Sequence, residues 1–165
     1  MPETMLGLRF ESGSDQICQW LSQVMRELAP FGTAGRSQGP ADLARGCLAA
    51  PAEPGERCLG PEGVELVLAE ILNNISEHAY PSGSGVVELL LRKEADVLDC
   101  RVRDWDYPMS DGDLPTGLLP EAQDMPEGGF GWHIIRALAE GLCYRRLVSC
   151  NELRFRLQIC WGSDG

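Results

Sequence analysis

Apolar positions along this chain change period several times, and each change marks an element. Met5 to Phe10 alternates and predicts a first strand. From Asp15 to Leu28 the apolar residues are Ile17, Trp20, Leu21, Val24, Met25 and Leu28, which is helical spacing. Ser12 and Ser14 offer cap oxygens just before it, and Pro30 closes it. Phe31 to Gly60 is rich in Gly, Pro and Ala and predicts a long loop insertion, with one helical turn near Ala41 to Ala49. Loops of that length in compact domains usually carry function or motion. Glu62 to Tyr80 is the strongest predicted helix, with Pro61 suited to its first turn and Pro81 and the Ser82 to Gly85 stretch ending it. Val86 to Leu91 and Val97 to Arg103 predict two strands around a polar turn at Lys93 to Asp96. Asp104 to Gly129 has no period. Gly131 to Glu140 predicts a further helix, with Gly141 past its end. Leu142 to Val148 and Glu152 to Ile159 predict a closing hairpin around Ser149 to Asn151.

Paired strands with helices between them predict an α+β two-layer sandwich. Its sheet is mixed and mostly antiparallel, with the helices on one face. The 165 residues, 44 % of them apolar, fit a single domain spanning 1–165 with a full core. No stretch approaches the roughly 20 consecutive apolar residues of a membrane span. Met1 to Ser14 lacks the basic flank and apolar run of a signal peptide, so a cytoplasmic protein is expected.

Charge narrows the function classes. A formal charge of −11 argues against nucleic acid as a direct partner, because phosphate backbones call for Lys/Arg patches. It does not exclude a nucleotide, whose site needs only local donors and a metal. The seven cysteines include no C-x-x-C pair and predict free buried thiols. His78 and His133 are the only histidines, too few to predict a structural metal site.

Three segments carry candidate chemistry. On a wheel of about 100° per residue, Val64, Val67, Leu68, Ile71, Leu72 and Ile75 form the apolar arc of the strongest helix. Glu70, Asn74 and His78 run in one row along the edge of that arc, where the helix leaves the core. Asn74 supplies an amide oxygen, a hard ligand suited to Mg²⁺. Glu70, one turn earlier, is placed to take a proton from a hydroxyl or water. The same residues also fit a solvated helix edge, and His78 also fits a cap. Second, Asp104 directly follows a strand, where a carboxylate can accept the exocyclic amine of adenine; an ordinary acidic turn reads the same way. Third, Gly128, Gly129 and Gly131 precede a helix and leave backbone N–H groups near its positive end, which favours phosphate; a plain turn is the alternative.

The order of the three segments is more specific than any one of them. Glu-x-x-x-Asn on a helix, Asp after the second following strand and Gly-x-Gly before another helix resembles the Bergerat ATP-binding fold. Gyrase, a heat-shock chaperone, histidine kinases and a mismatch-repair ATPase share that fold. Within it the chain looks most like the anti-sigma factor serine-protein kinases, from about Val64 to Leu157. "VELVLAEILNNISEHAYP" resembles their asparagine box, "VRDWDYPMSD" stands at their Asp-x-Gly motif, and "GGFGWHIIRALAEGLCYRR" resembles their glycine-rich helix start and the strand after it.

The resemblance implies ATP and Mg²⁺ as cofactors and phosphoryl transfer to a serine. Glu70 would be the general base and Asn74 the Mg²⁺ ligand. Asp104 would bind the adenine amine, and His78 would line the cleft. Gly128, Gly129 and Gly131 would hold phosphates and hinge a lid formed by Tyr107 to Glu127. The family's glycine two residues after the aspartate is Asp106 here, which puts a side chain and a second carboxylate beside the adenine. The implied partners are an anti-anti-sigma protein and a sigma factor, with neither nucleic acid nor membrane, and a homodimer is common in the family. A module that keeps the fold for docking and has weak nucleotide binding is the alternative.

Overall fold

The computed structural model describes residues 4–12, 14–29, 58–78, 85–105, 107–109, 112–117 and 130–160. Strand β1 (Thr4–Ser12) leads into helix α1 (Ser14–Leu28). Helix α2 (Pro61–His78) precedes the hairpin of β2 (Gly85–Glu94) and β3 (Val97–Asp104). Helix α3 (Gly131–Leu138) is followed by β4 (Glu140–Arg146) and β5 (Asn151–Gln158). The sheet order is β1-β2-β3-β5-β4, and all four neighbouring pairs are antiparallel. One parallel bridge joins Leu59 to Ile159 beyond the end of β5. The architecture is therefore the two-layer α+β sandwich that the pattern predicts.

Period-two alternation sorts the sheet into two faces. Val87, Leu89 and Leu91 of β2, Leu98, Cys100 and Val102 of β3, and Leu153, Phe155 and Leu157 of β5 are buried under the helices. The apolar arc of α2, from Val64 to Ile75, is buried along its whole length, as its spacing dictates. Helix α2 packs against both α1 and α3, which makes it the central helix of the layer. Among the described residues no helix is long and apolar enough to cross a membrane.

The structure departs from the sequence pattern around the last helix. Helix α3 stops at Leu138, Ala139 is already extended, and Glu140 opens β4. Gly141 has φ +61° and no neighbour near a would-be Cβ. It sits where β4 shifts register, between Glu140↔Arg156 and Cys143↔Arg154. A glycine able to adopt the left-handed region serves a β-bulge as well as a helix end, and here it makes the bulge. The turn before β5 likewise lies earlier than predicted, at 147–150 instead of 149–151: Leu147 N–H bonds Cys150 O, and Asn151 is the first residue of β5.

The thiols are free at all six described cysteines, but they are not uniformly buried. Cys100 and Cys150 are buried, whereas Cys18, Cys58 and Cys160 are exposed. Cys58 hydrogen-bonds Cys160 beside the parallel bridge. Although the residue is exposed, partial desolvation at its sulfur first, and that bond second, push the Cys58 thiol up.

Candidate functional site

The edge row of α2 faces α3. A Cβ built on Gly131 would lie 2.6 Å from Glu70 Oε2 and 3.3 Å from Asn74 Nδ2. Glycine leaves this space to the Glu70 and Asn74 side chains, which any Cβ would displace, so the helix-edge and glycine motifs meet. Asn74 Nδ2 is buried and has no hydrogen-bond partner among the described residues. A buried unsatisfied donor costs about 1–3 kcal/mol and is a feature that requires a reason. Burial pushes the Glu70 carboxyl above its ordinary range, and the negative charge of Glu77 adds to the shift. Phe130, which precedes α3, makes no side-chain cap bond, and the first turn of α3 contains no acidic residue. The first N–H groups of a helix have no intrahelical acceptor, so this end of α3 favours an anion.

Asp104 ends β3 on the helix side of the sheet and is 7 % exposed. It accepts a 2.7 Å hydrogen bond from Asn151 Nδ2, which also donates to Tyr107 O at 2.9 Å. Asn151 Oδ1 accepts from Tyr144 OH and from Arg146 Nη1, both at 2.8 Å. Tyr144 OH in turn accepts Met109 N–H at 3.0 Å. Both donors and both acceptor positions of the Asn151 amide are used, so its orientation is fixed by its neighbours.

The two clusters border one cleft. A cavity of about 300 Å³ has Asn74 and Ile75 on one wall and Asp104, Tyr144 and Asn151 on another, with Trp132 beside them. That volume is at the small end of ligand-site sizes, roughly 300–1,000 Å³. A larger depression of 670 Å³ runs along α1, but its lining comes from that single helix and includes no carboxylate.

A model of the histidine-kinase-like ATPase domain matches residues 21–157. The chain belongs to that family. No match was found among curated proteins. Membership of the histidine-kinase-like ATPase family implies ATP binding, and the donors in the cleft fit such a ligand. The orphaned Asn74 amide and the uncapped start of α3 suit phosphate oxygens, and the fixed Asp104 carboxylate suits an amine.

Of the residues singled out by sequence, Asn74 and Asp104 line this ATPase-domain cleft, and Glu70 and Gly131 meet beside Asn74. Asp106, Gly128, Gly129 and the side chain of His78 lie outside the described residues, as does most of the 31–60 insertion. Two stretches of the 107–127 segment are described, and both are tied down. Arg136 donates to Pro115 O at 2.7 Å and to Leu114 O at 3.3 Å. His133 Nδ1 lies 3.2 Å from Gly117 O, a bond that requires the Nδ1–H tautomer. Gly117 has φ +68°, and a Cβ there would be 2.8 Å from Trp132 O.

Asn151, Tyr144 and Arg146 are absent from the sequence-derived set. A signal for Asn151 was present: it is in phase with Leu153, Phe155 and Leu157, a polar residue on the buried phase of a strand. Such a residue needs partners, and here it finds four.

Proposed function

We propose that the chain is an ATP-dependent protein-serine kinase acting as an anti-sigma factor, which phosphorylates a serine of an anti-anti-sigma protein. One observation carries the reading: a single cleft is lined by the Asp104 carboxylate and by Asn74, and Glu70 and Gly131 approach one another beside Asn74. Bound Mg-ATP supplies a transferable γ-phosphoryl group. Asp104, held by Asn151, receives the amine of the base. Asn74 has two faces, an oxygen suited to Mg²⁺ and a donor suited to a phosphate oxygen. The N–H groups at the start of α3 hold phosphate charge. Glu70 accepts the proton of the incoming serine hydroxyl; its raised pKa makes it a stronger base than an ordinary glutamate. Beyond that base, catalysis rests on positioning and charge. The new phosphate on the partner weakens its docking by like-charge repulsion, given the chain's own negative charge.

The test is phosphate transfer from labelled ATP to a candidate anti-anti-sigma protein. The reading predicts transfer that is lost in Glu70→Ala. Full transfer by Glu70→Ala, or none with a partner shown to bind, would sink it.

A second reading, a docking module with weak nucleotide binding, is favoured by one observation. Asp104 is already engaged by Asn151 at 2.7 Å, and Asp106 adds a carboxylate nearby in sequence. Calorimetric titration with Mg-ADP separates the two. Micromolar binding strongly weakened by Asp104→Asn supports the kinase, whereas no binding at millimolar nucleotide supports the module.

A further inference from the structure

The face of the sheet turned away from the helices carries charges in cross-strand rows. One row runs Arg9–Glu88–Arg103–Glu152–Arg145, alternating in sign at every step. Another runs Arg92–Asp99–Arg156–Glu140, again alternating. Opposite charges across strands stabilise a sheet, and these rows contain ion pairs such as Arg103–Glu152 at 2.6 Å and Arg156–Asp99 at 3.4 Å.

The row between them breaks the rule. It runs Gly7–Leu90–Arg101–Arg154–Cys143, with two arginines directly opposite one another and no carboxylate. Like charges in that relation are destabilising. Arg154 turns along its own strand to Glu152, at 2.6 Å. Burial alone would raise the Glu152 carboxyl; the hydrogen bonds from Arg154 and Arg103 outweigh it and hold the group below its ordinary range. Glu152 is thus committed. Arg101 has no hydrogen bond or ion pair among the described residues, and neither does Arg145. Both border a depression of about 390 Å³ whose lining includes five arginines and one carboxylate, Asp99. This concentration occurs in a chain of net charge −11.

We propose that this open sheet face docks an acidic segment of a partner protein, with carboxylates seated on Arg101 and Arg145, on either side of the strand that carries Arg154. Charge complementarity chooses the occupant. Lys93 is the only lysine in the sequence, so every cation of the depression is a guanidinium, whose fork matches a carboxylate. A long polyanion such as nucleic acid, or an anionic membrane, would extend beyond the depression and meet a chain of pI about 4.6. A short acidic segment touches only the arginine rows. The proposal does not depend on the kinase reading, because no residue of the face borders the nucleotide cleft.

Fluorescence anisotropy with the full chain tests it. The probes are fluorescein-labelled peptides of alternating Glu and Ser or alternating Lys and Ser, a single-stranded oligonucleotide and phosphatidylserine vesicles. The Glu peptide should bind saturably, weaken with salt, and lose at least tenfold in affinity in Arg101→Glu. Arg145→Glu should act in the same direction, and Mg-ADP affinity should not change in either. Because Arg101→Glu completes the alternation of its row, its melting temperature should hold or rise, so lost binding is not lost folding. Arg101→Gln provides the milder variant. Four results overturn the proposal: equal binding of the Lys peptide, indifference to Arg101→Glu, tighter binding of oligonucleotide or vesicles, or a homodimer that Arg101→Glu dissociates.

Discussion

Asn151 and Asn74 are two amides in one cleft with opposite surroundings. Asn151 gives both its N–H bonds, to Asp104 and Tyr107, and receives two, from Tyr144 and Arg146. Asn74 buries Nδ2 with no partner among the described residues, beside a carboxyl whose pKa burial, and then Glu77, raises. A saturated network fixes geometry before any ligand arrives, so the Asp104 end is preorganised for recognition. Unmet hydrogen-bonding capacity is a cost carried until a ligand removes it, so the Glu70 end is where binding energy is released. On the proposed kinase reading, the difference puts recognition at one end and chemistry at the other.

The largest effect is expected at the open end. Glu70→Gln keeps the shape and, on the proposed reading, removes the base, so serine phosphorylation should fall roughly 10²- to 10⁴-fold. Mg-ADP affinity should stay within about threefold, because a base that contacts the nucleophile adds little to ground-state binding. The pH profile carries a second check. Glu70 acts only when ionised, and its pKa is raised by burial and then by Glu77. Activity should therefore be lost as pH falls through a midpoint above the ordinary glutamate value of about 4.3. Glu77→Gln should move that limb to lower pH. An acid limb unmoved by Glu77→Gln and retained in Glu70→Gln would assign the base elsewhere.

At the saturated end the effect should fall on binding. Asp104→Asn exchanges an acceptor-only group for one that also donates, facing an amine that can only donate. Mg-ADP affinity should drop by about 2–3 kcal/mol, roughly 30- to 150-fold, in calorimetry. A loss below about fivefold would mean that Asp104 does not read the base.

How far the sequence foretold this comparison follows from what each end is made of. The open end was legible: Glu70 and Asn74 stand one helical turn apart at the border of an apolar arc, and Gly131 opens the next helix. Local periodicity encodes such placements. The contact between Gly131 and Glu70 was not legible, because it depends on how α2 and α3 pack. The saturated end was half legible. Asp104 terminates a recognisable strand, but Asn151 reads as a turn residue until β5 is paired with β3. The register Asp104↔Asn151 is a pairing between distant segments that no local pattern states. The end of α3 shows a similar ambiguity, since Gly141 suits a helix stop or a bulge and only strand pairing decides.

Asn151→Ala tests whether the network is the support that the comparison makes it. The change leaves Asp104, Tyr107 O, Tyr144 and Arg146 each short of a partner; Asp104 is buried and Tyr144 half-buried. Stability in urea should fall by about 1–3 kcal/mol. Nucleotide affinity should fall about tenfold through misplacement of Asp104, with the phosphorylation rate at saturating ATP nearly unchanged. A loss of rate without loss of affinity would place Asn151 in the chemistry instead.

The smallest effect should have the opposite sign. Asn74→Ala removes a buried donor that has no partner, and with it a desolvation penalty of about 1–3 kcal/mol. Against this stand the lost packing of a short side chain and the space left behind, a similar amount. The nucleotide-free protein should therefore unfold at an unchanged urea midpoint or one raised by up to about 1 kcal/mol. Mg-ADP should stabilise the wild type by an amount that grows with the logarithm of its concentration, and Asn74→Ala much less. The paired measurement is needed because each half alone has another explanation. A midpoint rise without lost nucleotide response would describe an ordinary surface amide. A fall of 2 kcal/mol or more in the nucleotide-free protein would mean that Nδ2 has a structural partner, and the contrast between the two amides would disappear.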